Sequence, residues 1–152
     1  MVSERPRDAE EGKPTGRIST VQVLLISPDP AVREQMAVAV HGVERSVGET
    51  VDFLWSSDGV RGIAVARQHD PDVVIADEIS SRAGAFAVAQ DLKAGEPALR
   101  AVMVILLERE QDAWLAKWSG ADAWFVKPID PFALADRVAE LLGRSGSVKE
   151  AV

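Results

Sequence analysis

Between residues 20 and 143 the chain alternates two kinds of apolar pattern. The first is a short continuous run closed by turn residues: 21–26, 51–55, 72–77, 101–107 and 123–126. The second repeats at helical spacing. Val32, Met36, Ala39 and Val40 follow Asp29-Pro30, and Val60, Ile63 and Ala64 follow Asp58-Gly59. Phe86, Ala89, Gln90 and Lys93 precede Gly95, and residues 111–119 precede Gly120. Leu134, Val138, Leu141 and Leu142 follow Asp130-Pro131. An Asp before a Pro supplies an N-cap acceptor and a first helical residue that needs no donor, so 29–30 and 130–131 read as helix starts. Gly143 reads as the stop of the last helix.

Runs that are apolar on both faces need cover on both faces. Five of them separated by helices therefore predict an α/β fold with a doubly wound, five-stranded parallel sheet. In such a sheet the functional crevice lies beyond the carboxyl ends of the strands. The residues to inspect are Ser27, Pro28 and Asp29, Ser56 and Ser57, Asp77 and Glu78, Leu106, Leu107 and Glu108, and Lys127 and Pro128.

Composition narrows the chemistry. Apolar residues make up 47% and charged residues 27%, enough for one core in 152 residues. Residues 1–19 are charged and rich in Pro and Gly, and read as a disordered tail; 20–143 form the domain and 144–152 a flexible tail. No apolar run reaches membrane-spanning length and no leader pattern opens the chain, so a soluble, cytoplasmic domain is expected. Cysteine is absent and the two histidines, His41 and His69, are far apart, which removes thiol chemistry and a His-rich metal site. A net charge of −7 gives no basic footprint for nucleic acid. The serines have no histidine beside them, so the expectation is a protein that is not an enzyme.

Three segments resemble the receiver domain of two-component response regulators: residues 23–33 (VLLISPDPAVR), 71–77 (PDVVIAD) and 120–128 (GADAWFVKP). The resemblance spans about 21–142 and implies the strand order 2-1-3-4-5. In that family an aspartate ending the third strand accepts a phosphoryl group from a histidine kinase. Two acids after the first strand hold Mg²⁺, a Ser/Thr ends the fourth strand, and a lysine precedes a proline after the fifth. Asp77 matches the phosphoacceptor, and Lys127 with Pro128 match the lysine and proline. The acidic pair falls on Ser27 and Pro28, the Ser/Thr position on Leu106, and the proline four residues past the phosphoacceptor is Ser81.

With a hydroxyl and a proline in place of two carboxylates, Mg²⁺ binding is not expected, and no other cofactor is implied. Asp77 and Lys127 are expected to face each other as a partly exposed ion pair. Asp29 reads as a helix cap, and Glu78 and Glu108 as solvated loop acids or as replacement charge at the crevice. Trp114 and Trp118 lie four residues apart on the fourth helix, and Trp124 on the fifth strand; they are either core or part of a partner surface. The expectation is a stand-alone, atypical receiver that binds a protein partner or itself through its fourth helix, fifth strand and fifth helix. Two alternatives stay open: a working single-domain regulator phosphorylated on Asp77 by a histidine kinase, and a small-molecule binder using the crevice.

Overall fold

Val73, Val74, Ile75 and Ala76, like the residues of 102–107, have no polar side chain, so neither face of these segments can meet water. They lie at the centre of the sheet. The computed structural model describes residues 20–80 and 82–151, with side chains described as far as Gly143. The strands are β1 (Thr20–Ile26), β2 (Thr50–Ser56), β3 (Val73–Asp77), β4 (Val102–Leu107) and β5 (Ala123–Val126). The helices are α1 (Pro30–Val47), α2 (Gly59–His69), α3 (Ala85–Ala94), α4 (Ala113–Trp118) and α5 (Pro131–Ala151). All strand pairs are parallel, in the order β2-β1-β3-β4-β5, with Leu25 opposite Trp55 and Ile75, and Asp77 opposite Leu106.

Alternate residues of each strand enter two cores. Val23, Leu25, Ile75, Val104 and Leu106 pack with Met36 and Val43 of α1 and Leu134 and Val138 of α5. Leu24, Ile26, Val74, Ile105 and Leu107 pack with Ala66 of α2, Val88 and Leu92 of α3, and Ala116 of α4. The second layer sits close at α2. A β-carbon added to Gly62 would come within 2.3 Å of Ile26 Cδ1, and one on Gly59 within 1.9 Å of the Ala83 carbonyl oxygen.

Local chemistry places the helix starts where the sequence predicts them. The Asp29 carboxylate accepts from the Ala31 N–H at 2.9 Å, Asp58 from Arg61 N–H at 2.8 Å, and Asp130 from Phe132 N–H at 2.9 Å. Two helix boundaries differ from expectation. α4 is shorter than 111–119, because Glu110–Asp112 form a tighter 3-10 turn before it. α5 does not stop at Gly143 but runs to Ala151, so the backbone of 144–151 is helical where a flexible tail was expected. Glycine ends a helix by taking a left-handed backbone, and the positive-φ glycines among the described residues are Gly48 and Gly120, not Gly143. The expected tail 1–19 and Ser81 lie outside the described residues. No helix of the described chain is long and apolar enough to cross a membrane.

Candidate functional site

The carboxyl ends of β1, β3 and β5 bring Ser27, Asp77 and Lys127 together. Ser27 leaves β1 with its N–H donating to the Ser56 carbonyl (2.9 Å) and its own carbonyl accepting from Trp55 Nε1 (3.0 Å), so its backbone is held on the β2 side. Its side chain turns the other way. Ser27 Oγ donates to Asp77 Oδ2 at 2.7 Å and accepts from the Asp29 N–H at 3.1 Å.

Asp77 ends β3 with its side chain fully buried. Oδ1 accepts from Lys127 Nζ at 2.7 Å and from the Ile79 N–H at 3.2 Å. Both carboxylate oxygens therefore have donors from within the chain. The pair is partly exposed, as expected, but through the lysine alone: the aspartate has no accessible side-chain surface, and 19% of the lysine side chain is exposed.

Lys127 is fixed by its backbone, whose N–H donates to the Leu107 carbonyl, and its Nζ also meets Glu108 Oε2 at 2.6 Å. Burial alone would lower the Lys127 pKa. Hydrogen bonds to Asp77 and Glu108, with the charges of both, outweigh that and raise it above the usual lysine value. Glu78 Oε1 accepts from the Glu108 N–H at 2.7 Å. Burial, opposed by that hydrogen bond, together with Asp112 and Glu108 nearby, raises the Glu78 pKa. Glu78 and Glu108 are thus engaged loop acids. Their contacts were not readable from spacing, since they depend on which way two loops turn.

The remaining predicted positions fall as follows. Pro28 is exposed and brings no side-chain donor atom to the crevice. The Asp29 carboxylate caps α1. Leu106 is fully buried in the core beneath α1 and α5, beside Asp77 in register. Among the described residues no group of three or more His, Cys, Asp and Glu is placed to hold a metal ion. A shallow depression lies elsewhere, along β5, lined by Asp122, Ala123, Trp124, Phe125 and Arg137.

The tryptophans separate. Trp124 packs against the core beneath α2, α3 and α4, whereas Trp114 and Trp118 are each 65% exposed. At 100° per residue they stand about 160° and 200° from Ala116, the fully buried residue of α4. They point straight out.

This arrangement, a five-stranded parallel sheet of order 2-1-3-4-5 with an aspartate and a lysine meeting at its carboxyl edge, is that of a receiver domain. No family model matches the chain. A response regulatory protein of Mycobacterium tuberculosis (strain H37Rv), itself uncharacterised, is 37% identical over 127 residues, covering 82% of this chain and 92% of that protein. The chain belongs to the response regulator family, as a receiver domain. The DNA-binding dual master transcriptional regulator RpaA of Synechocystis is 29% identical over 132 residues, covering 86% of this chain and 52% of RpaA, so the chain spans about half the length of that relative. The receiver domain of sensor histidine kinase PA1611 from Pseudomonas aeruginosa, solved with a magnesium ion in its active-site cleft, superposes with a TM-score of 0.66 at 16% identity, over 82% of this chain and 99% of that one.

Proposed function

We propose that this receiver domain is an atypical one, a signalling module that acts by binding protein and whose output does not depend on Mg²⁺-assisted phosphorylation of Asp77. One observation carries the reading: both oxygens of a fully buried Asp77 are held by the Ser27 hydroxyl and the Lys127 ammonium. The donor set does not fit Mg²⁺. The ion prefers octahedral oxygen ligands with one or two carboxylates, and here Ser27 offers a neutral hydroxyl, Pro28 offers nothing, and Asp77 is already engaged. A carboxylate attacking an anionic phosphoryl donor also needs charge neutralisation beyond one lysine. That lysine is shared with Glu108. Leu106 has no hydroxyl with which to report a phosphoryl group to β4.

The output surface on this reading is the side of the domain formed by α4, β5 and α5. Besides Trp114 and Trp118 it carries Val126 and Phe132, which are 36% and 64% exposed. Buried aromatic anchors dominate protein interfaces. The partner is another protein chain, with a histidine kinase as the input partner the family offers; DNA binding, membrane attachment and catalysis of its own form no part of the reading, and its place is the cytoplasm.

The test is intact-mass measurement after incubation with millimolar Mg²⁺ and acetyl phosphate or a histidine kinase. The expected spectrum shows no phosphoryl adduct. An adduct on the wild type that disappears in Asp77→Asn would replace this reading with a working phosphoacceptor.

A further inference from the structure

The free edge at the β2 end of the sheet carries an unused pairing surface. The Ser56 carbonyl accepts from Ser27, so even-numbered residues of β2 face β1. By the two-residue period of a strand, Val51, Phe53 and Trp55 turn their N–H and C=O groups outward. The Val51 N–H is covered by the Glu44 carboxylate at 3.0 Å. Among the described residues nothing covers the outward groups of Phe53 and Trp55. Natural edge strands are usually blunted against pairing, and here a single glutamate does so at one end only.

The other end carries the opposite charge. Trp55 is 40% exposed, and the Arg33 guanidinium lies 3.9 Å from its ring centre. The Arg33 side chain makes no ion pair or hydrogen bond to any described residue beyond this ring contact, although the chain as a whole has a net charge of −7.

We propose that β2 pairs antiparallel with β2 of a second copy about a two-fold axis at Phe53, joining two sheets into one. In this register Phe53 faces Phe53, and Trp55 faces Val51 of the second copy. Each facing pair of outward residues exchanges two backbone hydrogen bonds. A two-fold axis perpendicular to the sheet keeps both α1 helices on the same face. Arg33, above Trp55, therefore arrives at the Val51 end of the second copy, where Glu44 stands. Glu44 releases the Val51 N–H to the Trp55 carbonyl of the other copy and takes the arriving guanidinium. Symmetry makes this exchange twice. Asp52 faces Leu54 and not another acid, so like charges do not meet directly. A second copy is the occupant because the edge supplies both members of the ion pair, at the two ends that the axis interchanges.

The test uses the full chain. Sedimentation across micromolar to millimolar concentration is expected to show reversible association toward twice 16.4 kDa. Hydrogen exchange is expected to slow at the Phe53 and Trp55 amides at high concentration only. Arg33→Glu should weaken association about tenfold or more, as should Glu44→Arg, and the two together should restore most of it, because the pair is rebuilt with its signs exchanged. Arg33 lies on the surface, so the variants are expected to fold; far-ultraviolet dichroism checks this. A wild type that stays monomeric overturns the proposal. So does a dimer in which those amides exchange freely, in which the reversals have no effect, or in which the combined reversal gives no recovery. A dimer abolished by Trp114→Ala with Trp118→Ala and untouched by the reversals assigns association to the α4 face instead.

Discussion

The crevice and the outer face of α4 treat their side chains in opposite ways. At the crevice a carboxylate, an ammonium and a hydroxyl satisfy one another, and Asp77 has no accessible surface left. On α4 two indoles stand in solvent, although the core could have been closed without them by Ala113 and Ala116. Polar groups that chemistry would need to reach are closed off from within. Apolar groups that packing would hide are left outside. On the proposed reading, α4 supplies interaction energy and the crevice supplies structural energy.

The strongest way to break that contrast is to remove Lys127. Lys127→Met would leave a fully buried carboxylate with only the Ser27 hydroxyl and the Ile79 N–H, and should destabilise the domain by about 3 kcal/mol in urea unfolding, as expected when one member of a buried pair is deleted. A loss below about 1 kcal/mol would mean that the crevice is solvated in practice. The same variant tests a pH effect. A lysine whose pKa is raised on folding adds stability that is complete below its unfolded value of about 10.4 and lost as pH rises through the raised value. Wild-type stability should therefore fall in strong alkali, and Lys127→Met should fall less. The chain has no tyrosine or cysteine to obscure that titration.

The matching test on α4 is Trp114→Ala combined with Trp118→Ala. Because both rings are exposed, the melting temperature should hardly change, while capture of a partner or of a second copy weakens by about 2 kcal/mol. Unfolding of this variant would make the indoles structural and erase the contrast.

Asp77→Asn gives a smaller effect, about 1 kcal/mol by thermal unfolding. Lys127 keeps Glu108, and the amide can still accept one hydrogen bond. Biological output should persist. Its loss at normal protein levels would return the crevice to a signalling role.

The smallest effect concerns Glu78. An acid whose pKa is raised on folding penalises the folded state once ionised, so stability should fall as pH rises from the ordinary glutamate value through the raised one. Glu78→Gln keeps an acceptor for the Glu108 N–H and should melt slightly higher than wild type at pH 7. Identical melting curves from acid to neutral pH would show that the carboxyl is ordinary.

Strands were readable because an apolar run on both faces has few other uses; each of the five begins and ends within a residue of its sequence pattern. Helix ends were less so. The stop at Gly143 failed because glycine permits a left-handed turn without requiring one. The meeting of Asp77 with Lys127 was visible from their places at the carboxyl ends of β3 and β5, the two strands that flank β4. The Ser27 hydroxyl bond, the depth of Asp77 and the grip of Glu108 on Lys127 were not. They depend on side-chain rotamers and loop paths that periodicity does not encode. The tryptophans show the same limit: three aromatic residues close in sequence divide into one packed and two exposed only once the direction of α4 is known.

The glycines under α2 have a mechanical consequence. With Gly59 against the Ala83 carbonyl and Gly62 against the Ile26 side chain, α2 sits close to the end of β1 and to the loop between β3 and α3. A larger residue at Gly62 would therefore push directly against Ile26, the residue before Ser27. α4, seated on alanines and only six residues long, has no such stop. The two ends of this layer are therefore seated differently, one close-set against Ile26 and the other on two alanines beneath the exposed indoles.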